Sequence, residues 1–492
     1  MGPYHGNVVN HRSDSASFCS SFVMGMHVIR EQLEKRIHDL AEHLIQLEQD
    51  AKLIKQKRSA NSVAKFHLST GWLCKKLLAS YVASPETGMR ISKDKNSYIK
   101  GRYVPEGVTY DITIDGVLLL MELNDFAREV RSFRFNHATG KGDQTRIAAT
   151  RKLVDWFAAD PALLPKVLVD CEDTDPLVVR VTTKRKGTNK KGKEVTFKTK
   201  KLTKYTDDAN TKQMRDNLDI INGCLRRHWS DLHLSDDEWV KLQRSLVGDK
   251  KYDYAPIRLH RQTIRRIFNS TSFDTGGRFY GGWWQNIPSA YRGLITIDGM
   301  RTAEFDYGRL HPTMLYAKKG LTLSEDAYDI GVGKGDEHRE VIKQLFNAMV
   351  QMKEPQDSPP KVKFSQTGKT WKQLRDLILE KHEPIRNKFF CGEGNKLQYE
   401  DSQIAELVML HFAKQDIAIL PVHDSFVIQR SLQSWLVDAM SEAFSQHYDV
   451  PIDIRDGAKF LAMDIGLPDE VVVEDLVSHM AEFDSWWRRN EL

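Results

Sequence analysis

The chain has 492 residues, 40% hydrophobic and 28% charged, with a formal net charge of +5 and a pI near 8.7. That is enough apolar material for about two to four domains around sizeable cores. Two features limit the class: no apolar run approaches the roughly 18 residues of a membrane span, and the start lacks the basic, apolar and small-residue succession of a secretory signal. Cys19, Cys74, Cys171, Cys224 and Cys391 share no CxxC or ligand-like spacing, which points to a reducing cytoplasm and no structural zinc.

Taken in chain order, Ile29, Leu33, Ile37, Leu40, Leu44, Leu47, Ala51 and Ile54 recur every three or four residues and predict a long amphipathic helix that packs on its own domain. Residues 101–125 read as strands around "TYDITIDGVLLLME", and helical patterns return through 145–165. In "VLVDCEDTD", Asp170 and Glu172 follow an apolar run much as in the first motif of DEDD nucleases; the space before the second half is too short for such a domain, so a turn is expected. Residues 178–205 carry Lys or Arg at eleven positions against the single acid Glu194. β-branched flanks around "GTNKKG" predict a two-stranded ribbon whose basic tip, with Lys184, Arg185, Lys186, Lys190 and Lys191, can lie along a phosphate backbone. A solvated loop is the bland alternative. The composition shift here marks a domain boundary.

Residues 207–270 read as largely helical and rich in Arg ("LRRHW", "RLHRQTIRRIF"), with basic faces fit for phosphate contacts. "LITIDGMRTAEFDYGRLHPTMLYA" (294–317) predicts a hairpin turning at Asp298-Gly299 and a helix from Leu310, leaving Asp306 at a strand end. "DEHREVIKQLFNAMVQM" (336–352) predicts a helix with Asp336 as N-cap and Arg339, Lys343, Asn347 and Gln351 along one face. Such a ladder can hold a triphosphate. In "AILPVHDSFVIQ" (418–429), His423 and Asp424 fall at the tip of a second hairpin. Two carboxylates at neighbouring strand ends can share hard divalent cations.

In order, these pieces resemble the polymerase core of the family A DNA polymerases and of the single-subunit RNA polymerases of phage and mitochondria. "FDTGGRFYGGWWQNIPSAYR" (273–292) is similar to that family's TGR…LQNIP segment through Thr275, Arg278, Gln285, Asn286 and Pro288. "EFDYGRLHPTMLYA" resembles motif A, "HREVIKQLFNAMVQ" the Arg-x3-Lys helix of motif B, "PVHDSFVI" motif C, and "KLQYEDSQIAELVMLHF" (396–412) the helix before it. The match spans about residues 265–465.

The resemblance implies an α/β (α+β) right-hand fold with an antiparallel-sheet palm, reduced helical fingers, a helical thumb and a mixed N-terminal region. Its expected divisions are an N-terminal domain (1–165), the basic ribbon (166–206), a thumb-like region (207–270), palm (271–330 and 396–470) around fingers (331–395), and a closing helix (471–492). Asp306 and Asp424, with the Tyr307 carbonyl, would hold two Mg²⁺ ions, for which Mn²⁺ can substitute. Arg339 and Lys343 would neutralise the triphosphate, Lys343 also serving as acid to the pyrophosphate, with Asn347, Gln351, His311 and Tyr307 around the nucleotide. Arg278, Gln285, Asn286 and His423 would touch primer or template.

Departures from the family pattern matter as well. Asp306 to Lys343 spans 37 residues and Lys343 to Asp424 spans 81, which implies trimmed fingers. Gln351 stands where the sugar-monitoring tyrosine is expected, and Ser425 follows Asp424 as in the RNA polymerases. His311 falls where a bulky side chain would crowd a ribose 2′-hydroxyl, which favours dNTPs over rNTPs. The expected partners are therefore a DNA template and primer (or an RNA product), with no membrane, in a phage, plasmid or other mobile-element setting. An RNA polymerase or primase, and a non-catalytic nucleic-acid-binding protein with a degenerate palm, are the alternatives.

Overall fold

The computed structural model describes residues 33–83, 88–98, 103–136, 141–157, 175–188, 194–235, parts of 236–260, and 261–457 except Lys334 and Ser358. Two hydrophobic cores form among them, one within 33–157 and the other within 177–444. The division falls just before the basic ribbon, where the composition shifts. The fold is mixed α/β, and its sheets are antiparallel apart from one short parallel pairing. No described helix is long and apolar enough to cross a membrane.

In the first core the predicted amphipathic helix covers 33–50 and buries Leu33, Ile37, Leu40 and Leu44 against the helix Ala60–Ala83 and its neighbours. It stops at a turn where Lys52 takes φ 54°, so Ile54 lies beyond it. "TYDITIDGVLLLME" is helical over Tyr110–Leu123, with a π-helical stretch at Thr113–Leu118, where strands were expected. Its β-branched residues mislead because tertiary packing overrides propensity: Ile114, Val117, Leu118 and Met121 are buried, and Thr113 Oγ1 donates to Ser69 Oγ at 3.0 Å. Helix was expected from 145, but Thr145–Ala149 is the central strand between Met89–Ile91 and Ala127–Arg131, followed by the helix Arg151–Phe157. Asp170, Glu172 and the 471–492 helix lie outside the described residues.

The basic ribbon pairs as predicted, Leu177–Thr188 against Glu194–Leu202. Its first strand joins Arg265–Phe268, which in turn pairs with Gly276–Tyr280. Among the described residues of 207–270, Ala209–Arg227 is helical, started by a reciprocal Asp208–Thr211 capping box, and 238–239, 241–242 and 245–246 are helical as well. Ser230–Leu232 and Arg265–Phe268 are strands instead, and Arg266 is fully buried rather than facing a duplex.

The sheet that carries the candidate site runs Leu420–Val422, Ser425–Gln429, Met300–Gly308, Ile295–Ile297 and Ser230–Leu232, with Asp453–Asp456 also pairing to Met300–Gly308. The predicted turn at Asp298-Gly299 is present, with φ of 54° and 73°, values that suit a two-residue hairpin. Asp298 does more than turn the chain. Its carboxylate accepts from the Trp229 N–H at 3.1 Å and lies 2.6 Å from His228 Nδ1, while His228 Nε2 reaches the Asp416 carbonyl at 3.0 Å. Burial works against a charged imidazole there, but the Asp298 charge and hydrogen bond outweigh it and raise the His228 pKa well above its ordinary value.

A raised folded pKa fixes the sign of a pH dependence. The His228 contribution is complete below the unfolded histidine value of about 6.5 and is lost as pH rises through the folded value. Thermal melting across pH 6–10 is therefore expected to show a descending limb that His228→Gln flattens, at a cost of about 1–3 kcal/mol at pH 6. An unchanged limb in the variant would contradict it.

Candidate functional site

Asp306 and Asp424 come together at the end of the sheet. Asp306 pairs across the strands with Ser425, and the next residue, Tyr307, donates its N–H to the Asp424 carbonyl at 3.2 Å. Both aspartates are half-buried, whereas Tyr307 and Ser425 are buried. In a strand the N–H and C=O of one residue face the same neighbour, so the Tyr307 carbonyl also faces the hairpin. Its side chain does not serve the nucleotide as expected: the phenol is buried, donates to the Met440 carbonyl at 2.7 Å, and burial raises its pKa far above the ordinary value. Only its backbone is available to the site. Asp306 and Glu304 share one strand face, and the Glu304 carboxylate accepts from Ser425 Oγ at 2.8 Å and from Arg292 Nε at 2.9 Å. Burial raises the Glu304 pKa, against the opposing Arg292 charge.

The 273–292 segment buttresses this tip from below. Trp284 Nε1 and Gln285 Nε2 both donate to the Pro421 carbonyl, at 3.0 and 2.8 Å. Gln285 Nε2 also reaches the Phe279 carbonyl at 3.1 Å, and its Oε1 accepts from the Gly281 N–H at 3.0 Å. Gln285 thus braces the His423-Asp424 hairpin, its amide bound to the backbone of Phe279, Gly281 and Pro421. Asn286 is exposed and only loosely held, 3.5 Å from the Gly282 carbonyl. Gly277, at φ 82°, leaves no room for a Cβ, which would stand 2.8 Å from Phe268 Cε1. The resulting bulge aims Arg278 toward the 394–413 helix.

There Arg278 meets a residue that the motif reading missed. Asp401, buried on the helix Gly394–Ala413, accepts from Arg278 Nε at 3.1 and 3.0 Å and from Arg278 Nη2, and stands 2.8 Å from His311 Nε2. Arg278 Nη2 and His311 Nε2 are 3.3 Å apart. Burial disfavours the guanidinium, yet the Asp401 charge and then that of Asp424 leave its pKa raised. His423, at φ 62° on the tip, is open to solvent on one side and packs edge-on to Tyr280 at 5.4 Å. Crowding on its other side, helped by the Arg278 charge, holds its pKa below the ordinary histidine value. An acid at a buried position of an apolar helix was the one legible sign of Asp401.

The predicted ladder is a helix, Asp336–Gln351, with Val341, Ile342, Leu345, Phe346, Met349 and Val350 buried behind it. Gly335 occupies the cap position, and Asp336 begins the first turn without capping it. Arg339 grips Asp326 at 2.7 and 3.1 Å and stacks 5.0 Å from the Tyr328 ring. Burial raises the Tyr328 pKa against the opposing Arg339 charge. Lys343 is exposed, with Glu340 Oε2 at 4.0 Å, and Asn347 is half-buried. Gln351 lies across Gly394, where a Cβ would come within 2.3 Å of its Nε2. The last rung is therefore seated on the Asp401 helix.

On the ribbon, Lys184 is exposed and Lys186 is paired with Glu194 at 3.1 Å, both groups well exposed; such a pair is weak and easily displaced. Arg185 belongs to the same strand, and Lys190 and Lys191 lie outside the described residues. The chain matches no protein-family model and no curated protein.

Proposed function

We propose that the chain is a template-directed nucleotidyltransferase that extends a primer 3′ end, with DNA synthesis favoured. The observation that carries this reading is that Asp306 and Asp424 stand on neighbouring antiparallel segments, Asp306 opposite Ser425 and Asp424 joined to Tyr307 through the backbone. Two carboxylates and the Tyr307 carbonyl form an all-oxygen donor set, which suits a hard divalent cation such as Mg²⁺. Asp306, Asp424 and Tyr307 O would hold it. When bound, that cation supplies acidification of the attacking hydroxyl and neutralisation of phosphate charge. Lys343, exposed on the helix Asp336–Gln351, would add a donor for the triphosphate and leaving group. Arg339 keeps its grip on Asp326 or exchanges it for phosphate. Arg278, held by Asp401, and His423 line the side where a primer terminus would rest.

His311 is the sugar gate in this reading, because Asp401 and Arg278 fix its ring. His311→Ala is expected to lower discrimination against ribonucleotides by about tenfold or more, read as the ratio of rNTP to dNTP incorporation. The direct test is extension of a labelled primer on a DNA template with Mg²⁺ and either nucleotide set, with Asp424→Ala in parallel. Ser425, next to Asp424, favours a second reading as a primer-independent RNA polymerase or primase. Product formation from rNTPs without a primer would select it, and absence of any synthesis in Mg²⁺ or Mn²⁺ would leave a nucleic-acid-binding protein.

A further inference from the structure

A separate constellation lies in the first core, on the helix pair 33–50 and Ala60–Ala83. The two helices run antiparallel, since Glu34 pairs with Lys75 at 2.8 Å, Glu42 with His67 at 2.7 Å, and Glu48 with Arg58 at 2.6 Å. They approach closely: a Cβ on Gly71 would stand 3.3 Å from Ile37 Cγ2. His38 and Glu42 are four residues apart and leave the first helix on one face. His67 faces them from the second, its ring centroid 4.6 Å from that of His38.

We propose that His38, Glu42 and His67 form a binding site for a borderline divalent cation, Zn²⁺ above others, that staples the two helices. One ligand atom from each residue lies within 4.8 Å of the other two. Two imidazole nitrogens and a carboxylate oxygen are a donor set that zinc favours at about 2.0–2.2 Å, and rotation of three side chains on a rigid backbone closes the remaining distance. His38 and Glu42 are exposed and His67 partly so, which gives the ion a path in and leaves a fourth position for water. None of the cysteines takes part, so their spacing carries no sign of this site.

A second group, Cys224, His228 and Asp416, also brings three ligand atoms together. Its imidazole is already engaged on both nitrogens, and Asp416 is bound by Arg227 at 2.6 Å. It is an ion-pair staple and serves here as the control.

The test is titration of the chelator-treated full chain with Zn²⁺ in millimolar Mg²⁺, followed by calorimetry, with Co²⁺ absorption as a second readout. One equivalent is expected to bind and to raise the melting temperature. His38→Ala and His67→Ala should each weaken binding by more than about tenfold, with Glu42→Gln also weakening it, while Cys224→Ser and Asp424→Ala leave it intact. No saturable binding, binding that survives loss of both histidines, or binding lost in Cys224→Ser or Asp424→Ala would each overturn the proposal. The first body alone is at stake, so failure here leaves the polymerase reading untouched.

Discussion

Replacing Asp424 by Ala, or Asp306 by Asn, is expected to reduce nucleotide incorporation by at least about 10²–10³-fold with little change in melting temperature. Both side chains are half-buried at strand ends and contribute little to the apolar core, so their removal should leave the sheet standing. Their charge cannot be replaced, because a carboxamide has neither the net charge nor the oxygen pair of a carboxylate. Lys343→Ala, on an exposed side chain 4.0 Å from Glu340, should lower the rate less severely, since neighbouring donors share its task. Steady-state primer extension beside thermal melting separates chemistry from folding. Full activity in either aspartate variant would remove the basis for the two-carboxylate reading.

The largest effect on stability is expected at Glu406. Arg266 is 0% exposed and Glu406 7%, and the two meet at 2.9 Å. Arg266 also donates to Ser402 Oγ and to the Gly277 carbonyl, both at 3.0 Å, with its guanidinium between the rings of Phe268 and Phe279 at 5.1 and 5.0 Å. Burial lowers the arginine's pKa despite the Glu406 charge. Glu406→Ala strands this cation, and the expected loss is about 3–5 kcal/mol. Replacing both partners with apolar residues, Arg266→Met with Glu406→Leu, should recover most of that loss. Chemical denaturation of the single and double variants checks the pair; equal destabilisation in both would show that packing, not the stranded charge, sets the cost. The same contact joins the strand Arg265–Phe268, which pairs with that of Arg278, to the helix of Asp401, so the single variant should also loosen the hold on His311.

Local patterns in the chain determined much of this architecture. The Asp298-Gly299 hairpin, the helices beginning at Leu310 and Asp336, the helix across 396–412, the His423-Asp424 tip and the basic ribbon all follow from hydrophobic period and turn chemistry, which act over a few residues. Reading by local preference failed where distant partners decide. Tyr110–Leu123 is helical despite its β-branched content because a buried face meets another helix. Arg266 belongs to a strand and not to a basic helical face because Glu406, far along the chain, supplies its counter-charge.

The candidate site divides in the same way. Residue types and order singled out Asp306, Asp424, Arg278 and His311, but only the tertiary structure placed the first two side by side and introduced Asp401 between the others. It also gave the Gln285 amide backbone partners at Phe279, Gly281 and Pro421, the last shared with Trp284. Which residues are candidates for chemistry could be read from the chain itself; which hydrogen-bond partners each of them has depended on distant contacts that no local pattern encodes.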